Sequence, residues 1–252
     1  MICATALQGI GEVEPGNEPA ALVAAALARP GAPALERGAV LVVAHKLVSK
    51  AEGRTRSLSS VTVSARAAEL AARLGKRPRH VQVVLDETRE VRRADHGVLI
   101  CETHRGFVCA NAGVDASNTS DDDTVILLPS DPDGSARRLR AGLRERTGSA
   151  PAVIVTDSFG RAWRRGQCDV AIGCAGLAPL EDWRGRADRR GRALRATHIA
   201  VADELAAAAD LARGKDTGEP AVLVSGAERW VTADDGPGVA PLVRDAASDL
   251  FR

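Results

Sequence analysis

An apolar, β-prone run at residues 152–155 is followed directly by the polar segment TDSFGRAWRRGQ at residues 156–167. A buried strand that ends in such residues places them at the edge of a sheet, where ligands usually bind in α/β proteins. Asp157 and Ser158 carry the hard oxygens that Mg²⁺ and Mn²⁺ prefer, and the arginines that follow suit phosphate or carboxylate groups. The segment therefore predicts a site for an anion and a metal ion, although a strand exit with a solvated arginine turn has the same pattern.

Strand-like and helix-like segments alternate irregularly along the rest of the chain. Strands are predicted at residues 1–7, 39–44, 98–101, 106–110, 124–128, 198–201 and 221–224. Helices are predicted at residues 19–29, 64–75, 78–91, 131–146 and 202–211, with Asn17 capping the first. This order, with one hairpin-like strand pair, predicts a mixed α/β (α+β) fold. Its core must be aliphatic, because only 2% of the 252 residues are aromatic, and it can form one large domain or two small ones.

Charge and cysteine content exclude several classes of protein. The net charge is +1, from 34 basic and 33 acidic side chains, so no global field attracts nucleic acid or an anionic membrane. Five cysteines without a CxxC pair, and no secretory signal or long apolar span, indicate a reduced, cytoplasmic protein. We therefore expect neither a nucleic-acid partner nor membrane association, and any recognition of anions must be local.

The strand predicted at residues 39–44 leads into a second polar segment, which contains His45 and Lys50. The chain has only four lysines and otherwise uses Arg for positive charge, so a lysine in a polar motif is informative. Lys50 can act as a point charge on a phosphate. It can equally be an exposed charge paired with Glu52, and His45 can be a hydrogen-bonded loop residue.

A third polar segment, NAGVDASN at residues 111–118, surrounds Asp115 and Asn118 with small residues. Small neighbours leave room for a ligand, and the Asn118 amide can donate or accept hydrogen bonds at a base or ribose. An Asx-rich turn has the same composition. The acidic triplet at residues 121–123 indicates a solvated loop, because three adjacent carboxylates cannot all converge on one ion.

Two glycine-containing segments offer weaker signals for phosphate binding. The first contains Ile10, Gly11, Glu12 and Val13, and its spacing fits neither GxGxxG nor a P-loop. In the second, Gly214 and Lys215 close a predicted helix instead of opening one, so they do not form a Walker A motif.

In combination, these motifs resemble those of the coenzyme F420-0:L-glutamate ligases, in the same order and over about residues 7–226. The most specific matches are VSKAEG at 48–53, GFVCANAGVDASN at 106–118, the segment 156–167, and IAVADE at 199–204. The chain departs from the family pattern at two points. Ile10-Gly11-Glu12 stands where the family usually has Leu-Pro-Glu, and His45 stands where Ser or Gln is more common.

The resemblance implies a site for metal ions and GTP. The implied metal ligands are Asp115, Asp157 and Ser158. The implied GTP contacts are Ile10, Gly11, Glu12, Val13, His45, Lys50 and Asn118, with Gly214 and Lys215 from the segment 213–220. The predicted catalytic residues are Asp115, Asp157, Arg161 and Arg164. These two arginines, with Arg165, offer forked cations for phosphates or acidic substrates.

The activity that the resemblance implies is GTP-dependent addition of L-glutamate to coenzyme F420-0, and then to the glutamylated product, through an acyl phosphate. Mg²⁺ or Mn²⁺, two per site, and K⁺ are the expected ions. The expected architecture is an intertwined homodimer of two-lobed chains, with residues 91–194 inserted between 1–90 and 195–252. Two other interpretations stay open: a metal-dependent nucleotide phosphohydrolase, and a non-catalytic protein that binds a deazaflavin or a nucleotide.

Overall fold

The computed structural model describes residues 1–117, 119, 121–245 and 247–249. The α-helices in these ranges are α1 (Pro19–Leu27), α2 (His45–Ala51), α3 (Ala65–Leu74), α4 (Pro78–Asp86), α5 (Pro132–Thr147) and α6 (Val201–Ala212). The strands are β1 (Cys3–Ala6), β2 (Val40–Ala44), β3 (Thr55–Ser57), β4 (Thr88–Asp95), β5 (Val98–Thr103), β6 (Val108–Ala110), β7 (Thr124–Ile126), β8 (Ala152–Arg161), β9 (Arg164–Ala175), β10 (Glu181–Asp182), β11 (His198–Ile199) and β12 (Ala221–Ser225). In the ranges described, no helix has both the length and the apolar character needed to cross a membrane. The predicted mixed α/β class is confirmed.

The central sheet has five strands in the order β1-β12-β2-β8-β9. β2 and β8 run parallel, and the other neighbouring pairs are antiparallel. β2 and residues 152–155 of β8 are continuous apolar runs, as expected for parallel strands in a sheet that helices cover on both faces. Leu41 and Val43 pack in a core with residues of α1 and α5, whereas Val40, Val42 and Ile154 pack in a second core with residues of α6.

A third apolar core, formed by residues between Leu58 and Leu127, packs α3 and α4 with the three-stranded sheet β4-β5-β6. The central sheet includes β8 and β9, although the sequence interpretation assigned residues 91–194 to an inserted lobe. The pairing of β8 with β2 explains this placement. The lobe boundaries stay a prediction.

Predictions of helix ends and turns are confirmed where they depend only on residues close to each other in sequence. Ser64 accepts a hydrogen bond from the Ala67 backbone N–H, 3.2 Å away, and begins α3. Gly75 ends the same helix with a positive φ of 65°, a conformation that favours glycine. The predicted hairpin of residues 98–110 is confirmed as β5 paired with β6.

Two local predictions are wrong. Asn17 does not cap α1; Glu18 precedes the helix, and Asn17 Oδ1 accepts the backbone N–H of Glu14 in a turn. The helix predicted at residues 78–91 ends at Asp86, because Thr88 begins β4 and pairs with β5. Long-range strand pairing therefore overrides the helical spacing of the apolar residues there.

Candidate active site

A cavity of about 530 Å³ lies where β2 ends and β8 continues beyond it. Ala44 of β2 is paired with Thr156 of β8, so His45 and Asp157 follow side by side. Pro220 precedes β12, the other neighbour of β2, and brings the preceding loop to the same edge. The predicted site residues that line the cavity are Gly11, Glu12, Val13, His45, Lys50, Asp115, Asp157, Ser158, Gly214 and Lys215.

The remaining predicted residues are Ile10, Asn118, Arg161 and Arg164. Ile10 is buried in the core beside the cavity, and Asn118 lies outside the described residues. Arg161 and Arg164 face each other at the exposed tip of the β8–β9 hairpin and do not line the cavity. The guanidinium of Arg161 donates to the backbone carbonyl of Arg165 at 2.7 Å.

The segment 156–167 is therefore not a strand exit, because β8 continues into it, but the solvated arginine turn of the sequence interpretation is present as the exposed tip between Arg161 and Arg164. β8 continues through Asp157 and Ser158 as far as Arg161, and β9 begins at Arg164 after two residues. Successive residues of an extended strand point to opposite faces. Thr156 and Ser158 therefore both contact Asp169, whereas Asp157 lies beside His45, and all three residues line the cavity.

His45 is the first residue of α2, not a loop residue, and is 2% exposed. Burial, and secondarily the charge of Lys46, lowers the pKa of His45 to about 4. The imidazole is therefore neutral at pH 7, and its Nε2, 3.5 Å from Asp157 Oδ1, does not form an ion pair. The Nδ1 atom lies 3.2 Å from the hydroxyl of Ser49 one helical turn later.

Asp157 has a carboxyl group that is unusually easy to protonate. Burial raises the pKa of Asp157 to about 7, and the negative charges of Asp115 and Asp169 add to this effect. The backbone N–H of Ser158, which donates to Oδ1 at 2.8 Å, opposes it. A buried carboxylate of this kind gains strongly from a nearby cation, because its charged form is poorly solvated.

Asp115 is the opposite case. Burial favours its neutral form, but hydrogen bonds from Lys46 and from the backbone N–H of Ser117 outweigh this and hold the pKa of Asp115 below its ordinary value. The ammonium group of Lys46 lies 2.7 Å from Asp115 Oδ2 and donates to the Ser117 hydroxyl at 2.6 Å. Of these two lining carboxylates, Asp115 is therefore firmly ionised and Asp157 titrates near neutrality.

Lys50 pairs with Glu12, not with Glu52. Glu52 instead accepts hydrogen bonds from Arg138 and from the hydroxyl of Ser135. The pair of Lys50 and Glu12 joins α2 to the glycine-containing segment near the N-terminus. These two predicted phosphate-binding segments therefore meet in one wall of the cavity.

Whether the cavity fits a metal ion depends on the side chains that it offers as ligands. Among the residues that the structure describes, no three or more His, Cys, Asp and Glu side chains are grouped so as to hold a metal ion. Two carboxylates, Asp115 and Asp157, do line the same cavity. Mg²⁺ is typically held by one or two carboxylates, with water and substrate phosphates completing the shell. These two carboxylates fit a divalent ion that binds together with a phosphate.

Sequence reasoning did not select two residues that line the cavity, Lys46 and Asp169. Lys46 had a usable signal, because it is one of only four lysines and follows a strand end. Asp169 had a subtler one: a lone carboxylate in an otherwise small and apolar stretch is expensive to bury without partners. Its partners, Thr156 and Ser158, lie across the hairpin and become evident only from the strand register.

Comparison with known proteins places this chain in a family. The family model described as F420-0:Gamma-glutamyl ligase matches residues 9–226. A protein of Methanothermobacter thermautotrophicus named coenzyme F420:L-glutamate ligase is 44% identical over 98% of this chain and 97% of its own length. A protein of the same name from Methanopyrus kandleri is 44% identical over 96% of this chain and 94% of its own. The chain belongs to the F420-0:gamma-glutamyl ligase family and, like these relatives, is a ligase.

Proposed function

We propose that this protein joins L-glutamate to coenzyme F420-0 in a GTP-dependent reaction, and extends the product with further glutamates. The observation that carries the proposal is the meeting of the Asp115 and Asp157 carboxylates with three ammonium groups in one cavity of about 530 Å³, whose lining also includes Glu12, Asp169, Arg213 and Glu219. The ammonium groups belong to Lys46, Lys50 and Lys215. Such a set suits a triphosphate and its counter-ion, and the relatives' names supply the acid and the amine.

The chemistry explains why cations are needed. A carboxylate does not react with an amine at neutral pH, so it must first be activated. We infer that an oxygen of the coenzyme's terminal carboxylate bonds to the γ-phosphorus of GTP while the bond to the β-phosphate breaks and GDP leaves. The glutamate amine, having lost a proton, then bonds to the acyl carbon, and inorganic phosphate leaves. Both steps gather negative charge on oxygens, which fixed cations stabilise.

Asp115, Asp157 and Ser158 are the residues that we propose hold Mg²⁺ or Mn²⁺, at two ions per site, with K⁺ as a further ion. A bound divalent ion neutralises phosphate charge and polarises the γ-phosphoryl group. Lys50 of α2 and Lys215 of the loop before β12 both line the cavity and would hold the phosphates of the nucleotide. Lys46, held between Asp115 and Ser117, keeps the Asp115 carboxylate ionised and oriented.

Gly11 and His45, where the chain departs from the family pattern, belong to the proposed nucleotide-binding wall. A Cβ atom at Gly11 would meet no atom within 4 Å, so this wall is open where the family usually has a proline. The neutral His45 imidazole lines the cavity without adding charge. Both features leave the cationic groups unchanged, so we expect the nucleotide contacts to differ in detail while the chemistry is kept.

Several further assignments complete the proposal. Asn118 contacts the nucleotide, Ile10 supports the wall from behind, and Arg161 and Arg164 act on acidic substrates from the hairpin tip. We also propose that the protein is a homodimer. We propose that it works in the cytoplasm, since the coenzyme and L-glutamate are soluble anions. Analytical ultracentrifugation tests the dimer, and Arg161→Ala and Arg164→Ala test the hairpin through the KM for L-glutamate and for the coenzyme.

Mass spectrometry tests the reaction directly. Purified protein is incubated with F420-0, L-glutamate, Mn²⁺ and either GTP or ATP, and glutamylated products and nucleoside diphosphates are measured. We expect glutamyl addition with GTP and one GDP per glutamate added. GDP formation that does not require F420-0 or glutamate would favour a phosphohydrolase, and ligand binding without turnover would favour a non-catalytic binding protein.

Asp115→Asn tests the proposed metal ligand in the same reaction, because it removes a charge while keeping the shape of the side chain. We expect it to abolish glutamyl addition in a folded protein. Asp234→Asn, an exposed carboxylate outside the cavity lining, is the control and is expected to leave the reaction unchanged. Full turnover by Asp115→Asn would refute its assignment as a metal ligand.

A further inference from the structure

Asp169 is a fully buried carboxylate in the wall of the cavity, on β9 directly opposite Ser158 of β8. One of its oxygens accepts the Ser158 hydroxyl at 2.6 Å. The other accepts the Thr156 hydroxyl at 2.7 Å and a guanidinium N–H of Arg213. A buried carboxylate requires such partners, and each of these comes from a segment that borders the cavity.

Arg213 uses its guanidinium group to bind Asp169 and Thr156. Its side chain is 8% exposed, and the same guanidinium nitrogen that reaches Asp169 also donates to the Thr156 hydroxyl at 3.1 Å. Another nitrogen donates to the backbone carbonyl of Pro220, where the loop re-enters β12. The guanidinium therefore fastens both ends of the loop 213–220 to the sheet.

Lys215, two residues further along, has the opposite environment. Its side chain is 67% exposed, and its ammonium group donates to the Ser158 hydroxyl at 2.6 Å and to Asp210 at 3.1 Å. It also lies 3.7 Å from Asp169 Oδ1. The same loop therefore carries a buried cation, Arg213, which binds residues of the cavity wall, and an exposed cation, Lys215, which lies at the cavity.

The direction of the Ser158 hydroxyl follows from these contacts. A serine hydroxyl has one hydrogen to donate and two lone pairs to accept with. Asp169 takes the hydrogen and Lys215 uses one lone pair, which leaves the second lone pair for a ligand. Without the Asp169 carboxylate the hydroxyl hydrogen could rotate towards the cavity, where it would oppose a cation.

We propose that Asp169 is a positioning residue for the phosphate and metal end of the site. It turns the Ser158 oxygen towards the ligand and, through Arg213, holds the loop that carries Lys215. The ligand class is a nucleoside triphosphate with its divalent cation. This inference rests on the proposed function, because Ser158 and Lys215 are the groups through which Asp169 acts.

The first test is Asp169→Asn, compared with Asp203→Asn. Asp203 of α6 is the control. Its carboxylate accepts a hydrogen bond from the backbone N–H of Ala171, which lies on β9 like Asp169, but Asp203 does not line the cavity. We expect Asp169→Asn to raise the KM for GTP at least about tenfold and to leave the KM for L-glutamate within about twofold, as loss of a group that orients a ligand does. Asp203→Asn is expected to change neither constant.

A binding readout separates this inference from the reaction itself. Electron paramagnetic resonance measures Mn²⁺ binding in the presence of a non-hydrolysable GTP analogue, without the coenzyme or glutamate. Asp169→Asn is expected to weaken Mn²⁺ binding about tenfold or more. If the wild-type protein binds Mn²⁺ and the analogue but adds no glutamate, the proposed function fails while the positioning role is still measured. Equal Mn²⁺ binding by wild type and Asp169→Asn would overturn the positioning role.

Asp169→Asn removes the close partner of the buried Arg213 charge and leaves only Asp210, 3.7 Å away, which can prevent folding. The double variant Asp169→Leu/Arg213→Met removes both charges, an exchange that folded proteins often tolerate. We expect it to fold and still to show the raised KM for GTP. A folded double variant with the wild-type KM for GTP would overturn the proposal.

A double-mutant cycle identifies the route. If Asp169 acts through Ser158, then Asp169→Asn raises the KM for GTP less in a Ser158→Ala background than in the wild type. The same increase in both backgrounds would overturn the role of Asp169 in orienting the Ser158 hydroxyl.

Discussion

Replacing Asp157 by Asn is expected to stabilise the ion-free protein at pH 8 while it removes ligase activity. Burial raises the pKa of Asp157 from 3.8 to about 7. In the unfolded chain the group has its ordinary pKa, so between these two values folding favours the protonated form. Stability from this group is fully present below pH 3.8, is lost as the pH rises to about 7, and stays lost at higher pH.

The pKa difference sets the size of the effect. It corresponds to roughly 4 kcal/mol by which the folded protein disfavours the charged carboxylate. The side chain is only 16% exposed, so little of this is removed by solvent. An asparagine has no charge to bury, and its amide oxygen can still accept the backbone N–H of Ser158. We expect Asp157→Asn to raise the free energy of unfolding by about 2–4 kcal/mol at pH 8 and by less than about 0.5 kcal/mol at pH 4.

Urea denaturation in EDTA at several pH values between 4 and 8 measures this difference, with Asp234→Asn as the exposed control. The difference between Asp157→Asn and wild type should increase with pH and level off near pH 7. Addition of Mn²⁺ should stabilise the wild type more than the variant, because an ion that binds only the folded protein raises its stability. An unchanged or lowered stability of Asp157→Asn at pH 8 would refute the reasoning.

Three further predictions concern the ions, the site and the sheet. Removal of divalent ions with EDTA should abolish glutamyl addition and Mn²⁺ should restore it; full activity in EDTA would exclude the proposed ion. Lys46→Met should remove the partner of Asp115 and lower kcat/KM for GTP about tenfold or more, which steady-state kinetics measures. Gly173→Ala should destabilise the protein by about 2 kcal/mol or more in urea denaturation, because its Cβ would lie 2.4 Å from a backbone atom of Pro132. Gly160→Ala, where a Cβ meets no atom within 4 Å, is the control, and equal stability of the two variants would contradict the packing argument.

The sequence alone predicts the parts of the site that depend on local patterns. The continuous apolar runs identify β2 and β8, and the residues that follow or extend them include His45 and Asp157. Because the two strands are parallel neighbours, these residues reach the same cavity. The motif resemblance correctly identified the family, since several long matches in order are more specific than any single pattern.

The parts that could not be predicted depend on long-range contacts. The helical conformation of α2 has no side-chain cap at its start, and its apolar residues Leu47 and Val48 fix it by packing in the central core. The pair of Lys46 and Asp115 joins segments that are distant in sequence. The register that brings Asp169 opposite Ser158 includes an irregularity in β9, where Ile172 is skipped between Gly173 and Ala171, and no alternation of apolar residues reveals it.

The position of β12 between β1 and β2 has a consequence for how the cavity arises. Among the described strands β12 is the last to be synthesised, and the central sheet is complete only when β12 has paired with β1 on one side and with β2 on the other. The loop that carries Lys215 is positioned by the same late strand. Contacts of such large sequence separation form slowly, because long loops must close first. Nucleotide binding should therefore appear only in the last kinetic phase of refolding, so that it reports completion of the fold.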